Sequence, residues 1–65
     1  MKILLRNYRK RKGLSIVELS QVSGLSKSTI SNIENGIVSP TMLQMENLAR
    51  ALDVRITDLF ESDFK

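Results

Sequence analysis

Between Leu14 and Gly36 the chain reads LSIVELSQVSGLSKSTISNIENG, two short apolar periodicities separated by a single glycine, and no other stretch constrains the fold as much. Ser15 and Ser26 each precede a run of helical spacing. There a serine hydroxyl accepts from one of the backbone N–H groups that a first helical turn leaves without a partner. Gly24 lies between the runs. A chain that reverses sharply after a helix needs a residue that tolerates positive φ, and glycine does so without a Cβ clash. The spacing therefore predicts helices over 16–23 and 27–34. Leu19, Leu25, Ile30 and Ile33 fall on their inward faces, and Ser20 is small enough for the two backbones to cross closely. The outward face of the second of these helices keeps Lys27, Ser28, Thr29, Ser31 and Asn32, all short or polar and none a carboxylate.

The same periodicity, carried along the chain, predicts an all-α fold: one compact domain of five helices, in which helices two and three form the helix-turn-helix. The first helix covers 2–12, turns Leu4, Leu5 and Tyr8 inward, and ends at Gly13. Asn35-Gly36 closes the third. Residues 37–40 connect it to a fourth helix over 41–52, capped by Thr41, whose buried stripe is Met42, Met45, Leu48, Ala49 and Leu52. A short fifth helix over 56–61 directs Ile56, Leu59 and Phe60 toward the core or a partner. With 65 residues, such a domain buries only about 60% of the surface its unfolded chain exposes. A second subunit would add stability.

Charge is distributed unevenly. Residues 1–36 carry seven Lys or Arg against two Glu, a net +5, whereas residues 37–65 carry three against five acids, a net −2. One end suits a polyanion and the other does not. The cluster Arg6, Arg9, Lys10, Arg11 and Lys12 has a simpler reading as a solvated helix face; its position beside a two-helix motif with a polar outer face favours nucleic acid. Histidine and cysteine are absent, which removes the usual general base, disulfides and most metal sites, and fits a cytoplasmic protein. There is no Gly-rich phosphate loop and no glycine-framed nucleophile, so no enzyme and no cofactor are expected. Met1–Leu5 is too short for a signal peptide or a membrane span.

The segments YRKRKGLS at 8–15, LS at 19–20, SGLSKSTISNIENG at 23–36, SPT at 39–41 and LARALDVRITDLF at 48–60 together resemble the DNA-binding domain of the lambda-repressor and Cro-like superfamily, the xenobiotic-response-element family of bacterial regulators. The serine-rich SKSTIS run and IVSPT look most like the heads of biofilm repressors and of members with a C-terminal cupin sensor, which begins about where Lys65 stands. The resemblance implies that helix three enters the major groove of double-stranded DNA with Lys27, Ser28 and Asn32 nearest the base edges. That agrees with their chemistry: lysine reaches guanine O6 and N7, asparagine pairs with adenine N6 and N7, and serine donates or accepts. Ser15, Ser26 and Asn35 would hold phosphates through side chains and helix-terminal amides, with Arg9, Lys10, Thr29 and Ser31 as further backbone or secondary contacts. Arg9 and Glu34 match a pair that bridges helices one and three in this family.

Some residues depart from the family pattern. Ile16 replaces a glutamine that often begins helix two and braces the recognition helix on DNA. Ile37 and Val38 occupy a loop that is commonly basic or polar. Val17, Val22 and Leu43 stand at positions expected to be exposed. Arg55 replaces the usual Ser or Asp cap of helix five, which is expected to start late or fray. The implied function is a repressor that binds a pseudo-palindromic operator as a homodimer through Ile56, Phe60 and Phe64. The rival reading is an antitoxin or adaptor that binds a partner protein through Ile16, Val17, Val22, Ile37, Val38, Phe60 and Phe64, and DNA only for autoregulation.

Overall fold

A computed structural model describes residues 1–65. The chain runs through β1 (Lys2–Ile3), α1 (Leu5–Arg11), α2 (Ile16–Ser23), α3 (Lys27–Glu34), α4 (Met42–Leu52), a single 3₁₀ turn (Ile56–Leu59) and β2 (Phe60–Glu61). Four α-helices are present, and the fold carries a small sheet that an all-helical reading did not expect.

The ends of the three central elements are built by side chains. Ser15 and Glu18 form a reciprocal box: the Glu18 N–H donates to Ser15 Oγ at 3.0 Å and the Ser15 N–H donates to Glu18 Oε1 at 2.9 Å. Thr41 and Gln44 repeat the arrangement at the start of α4, both bonds at 3.0 Å. Ser26 Oγ accepts the Thr29 N–H at 3.1 Å and donates to Thr29 Oγ1 at 2.8 Å. Gly24 ends α2 at φ 77° and donates its N–H to the Ser20 carbonyl. With both ends satisfied locally, α2 and α3 need little help from the rest of the chain to stop where they do.

The two ends of the chain correct the five-helix expectation. α1 begins at Leu5, not residue 2, because Lys2 and Ile3 pair antiparallel with Glu61 and Phe60. The Leu4 N–H then donates to the Leu59 carbonyl at 2.8 Å. No side chain is available to cap a helix starting earlier, whereas the ribbon satisfies those backbone groups across the fold. The expected fifth helix shortens to the 3₁₀ turn. The Arg55 side chain offers no acceptor to the turn; the Asp58 carboxylate instead reaches back and accepts the Arg55 N–H at 3.0 Å. Beyond it Phe60 is extended (φ −149°, ψ 158°).

Leu5, Leu19, Ile30, Ile33, Met45, Leu48, Ala49, Leu52 and Leu59 form one buried core. α2 packs against both α3 and α4, and α1 against α3. Leu25, Tyr8, Ile56 and Phe60 are half-buried against this core. Met42, expected in the buried stripe, is instead exposed on the first turn of α4, as Leu43 is. Leu5 enters the core cluster as expected, whereas Leu4 lies outside it. Between α2 and α3 the buried small residue is Ser23, whose Oγ accepts the Leu25 N–H at 3.2 Å. Ser20 is half-buried and bonds back to the Val17 carbonyl.

Candidate nucleic-acid interface

Ile30 and Ile33 anchor α3 in the core, and Glu34 at its last turn is enclosed as well, so the outward face is left to Lys27, Ser28, Thr29, Ser31 and Asn32. Lys27 and Ser28 are exposed, and Thr29, Ser31 and Asn32 are half-exposed. Hydrogen bonds of α3 side chains within the chain involve Thr29, Ser31 and Glu34. Lys27, Ser28 and Asn32 keep their donors and acceptors free. The short helix thus presents one ammonium, one hydroxyl and one carboxamide on a surface without a free carboxylate, a set able to read base edges. Ser15 and Ser26 are exposed at the N-terminal ends of α2 and α3, where helix amides favour anions. Lys10 is exposed on α1. Its neighbour Arg11 lies 4.8 Å from the centre of the Tyr8 ring, a cation–π contact.

The orientation of α3 is fixed by a buried ion pair. Arg9 Nε donates to Glu34 Oε2 at 2.6 Å, Arg9 Nη2 to Glu34 Oε1 at 3.1 Å, and Arg9 Nη1 to the Leu14 carbonyl at 2.9 Å. The side chains of Arg9 and Glu34 are only 10% and 1% exposed. Burial pushes the Glu34 carboxyl up, but the hydrogen bonds and charges of Arg9 and Arg6 outweigh it and hold the group below its ordinary value. The bond to Glu34 likewise raises the Arg9 pKa against its own desolvation. Arg9, expected also to face DNA, is therefore turned inward with three of its nitrogens engaged.

Two participants were not foreseen. Arg6 donates from Nε to Glu34 Oε1 at 3.2 Å and from Nη2 to Asn35 Oδ1 at 2.7 Å. Asn35 in turn donates to Ser31 Oγ at 3.4 Å. The signal for Arg6 lay in its spacing, one turn before Arg9 on the same helical face. An apolar groove of about 530 Å³ is the other: it runs beside the end of α3, lined by Met1, Ile3, Val38, Met42 and Phe60 among others. Of the residues expected at a dimer surface, Ile56 and Phe60 pack on this chain's own core, and only Phe64, 98% exposed, stands clear of it. Val17, Val22 and Leu43 are exposed as expected. No three His, Cys, Asp or Glu side chains gather as metal ligands, and no helix is long and apolar enough to cross a membrane.

The family model described as Helix-turn-helix matches residues 5–59. The HTH-type transcriptional regulator SlrR of Bacillus subtilis is 41% identical over 61 residues, covering 92% of this chain and 40% of its own length. The restriction-modification controller protein C.AhdI from Aeromonas hydrophila superposes with a TM-score of 0.83 at 38% identity, covering 86% of this chain and 85% of that one. A crystal structure of SinR, the master regulator for biofilm formation, in complex with DNA gives a TM-score of 0.82 at 34% identity and covers 88% and 92%. The chain spans about two fifths of SlrR and about half of the full-length SinR of Bacillus subtilis. With a match running from α1 through the 3₁₀ turn, the chain belongs to the helix-turn-helix family.

Proposed function

We propose that this chain is a sequence-specific, double-stranded-DNA-binding transcriptional regulator, a repressor that occupies a pseudo-palindromic operator as a homodimer in the cytoplasm. The observation that carries the reading is the outer face of α3, where Lys27, Ser28 and Asn32 are unpaired on a helix held by a capped start and a buried ion pair. Those three residues read bases in the major groove; Ser15, Ser26, Thr29, Ser31, Asn35 and Lys10 hold the backbone and set register. The likeness to the DNA complex of SinR supports that docking.

The scale of the target favours dimerisation. Half-sites one helical turn apart are centred about 34–36 Å from each other, and this domain is 31 Å in its longest dimension. Two copies on one face of the duplex would then touch through their facing ends. Phe64 is the anchor of that contact, with Ile56 and Phe60 behind it.

Selection from randomised duplex sites tests the reading. Lys27→Ala and Asn32→Ala each cost about 1–3 kcal/mol on the selected site and relax preference at one or two base pairs. Lys10→Ala weakens selected and random DNA alike. Unchanged preference in both α3 variants would overturn the reading. It would favour the adaptor that binds a protein through Val17, Val22, Ile37, Val38 and Leu43, all exposed.

A further inference from the structure

Arg9 has turned its donors inward, yet a half-exposed cation stands one turn earlier on the same side of α1. The Arg6 side chain is 49% exposed. Its guanidinium is shared between Glu34 and Asn35 through Nε and Nη2, and neither bond uses Nη1. One carboxylate between two guanidiniums leaves a positive charge in excess beside the C-terminal end of α3, the end of a helix dipole that favours cations. Glu34 already accepts three N–H donors from the two arginines, so it does not draw the outer edge of Arg6 inward. Asn35 is held from both sides, by Arg6 on its Oδ1 and by Ser31 on its Nδ2.

We infer that Arg6 is a DNA-phosphate ligand: its outward Nη1 edge binds the duplex backbone beside the recognition helix, while its Nε and Nη2 edge positions Asn35. The inference rests on the DNA-binding reading above. A planar guanidinium can do both at once because its donors point along fixed, separate directions. Arg6 thereby couples the angle of α3 to the grip on the backbone, a role that Arg9 is too enclosed to fill.

The test is a salt titration of binding to a mixed-sequence duplex of about two helical turns, comparing the full chain with Arg6→Gln and Arg6→Lys. Losing one phosphate contact makes the slope of log affinity against log salt shallower by about 0.9. Arg6→Gln shows that change and several-fold weaker binding, and Arg6→Lys restores the slope but not the full affinity, since lysine cannot hold Asn35 and a phosphate together. In the unmodified chain the Arg6 Nε–Hε resonance moves when duplex is added and that of Arg9 does not, a readout independent of how the variants fold. A wild-type slope in Arg6→Gln, or an unmoved Arg6 resonance while α3 amides shift, overturns the inference alone. Absence of any binding by the unmodified chain overturns the DNA reading and this inference with it.

Discussion

Glu34 carries more of this domain than its place at the end of a surface helix suggests. Its carboxylate is almost fully enclosed between Arg9 and Arg6. Removing one partner of a buried pair strands the other charge, at about 3–5 kcal/mol, a large share of the ~5–15 kcal/mol that holds a typical domain together. Arg9→Ala and Glu34→Ala should each fall in that range in thermal or urea melts, and the double variant should lose much less than the two losses combined. Strict additivity would separate the residues energetically. Arg6→Ala, removing a half-exposed partner, should cost no more than about 1 kcal/mol. The pH dependence has a definite sign. The folded pKa of Glu34 lies below its unfolded value, so its contribution is complete above the ordinary carboxylate range and is lost as pH falls through the lowered folded value. Glu34→Gln should flatten that acid limb of Tm against pH; an unchanged limb would assign it to other carboxylates. Glu18 is shifted the same way by the Ser15 backbone and side-chain bonds, but it is exposed.

At the level of elements, what was legible in the sequence is what neighbours in the chain decide. α2, α3 and the core residues of α4 stand where caps and apolar spacing put them, since Ser15, Ser26, Thr41 and Gly24 each act within a turn of their own position. The outward placement of Lys27 and Ser28 was legible for the same reason: Ile30 and Ile33 fix which face is in. The ribbon was not. Lys2 and Ile3 meet Glu61 and Phe60 across nearly the whole chain, and no local periodicity encodes that pairing. It also costs the expected first turn of α1 and the last residues of the expected fifth helix. Arg6 was missed because its partners lie 28 and 29 residues away, and Met42 because a residue on a first turn has no preceding turn to pack behind. Gly24 tests the local logic directly. A Cβ there would meet nothing within 4 Å, while φ is +77°, so Gly24→Ala exposes the backbone term alone. It should cost roughly 1–2 kcal/mol, a Tm drop of about 4–8 °C per kcal/mol in a domain of this size. No change would mean that the turn relaxes to another conformation.

For the molecule as a whole, the basic first half and the acidic second half suit the proposed division of surfaces between DNA and a second copy. If the proposed dimer forms, Phe64→Ser should shift the sedimenting species to monomer while changing the unfolding free energy of the dilute protein by no more than about 0.5 kcal/mol, as for an ordinary surface change. Phe60→Ala would not be so clean, because Phe60 also packs against the core and pairs with Ile3. The ribbon has a consequence in time as well as in space. The contacts of α2 with α3 and α4 close shorter loops of chain than the pairing of β1 with β2, which must close one of almost the full sequence. Closure entropy makes such a contact late in folding. Ile3→Ala should therefore leave the refolding rate in stopped-flow experiments unchanged and speed unfolding by the whole loss of stability. A slowed refolding limb would instead place the ribbon in the nucleus. If the ends are tied last, they are also the first to part, and the helix pair proposed to meet DNA is assembled before the chain is closed around it.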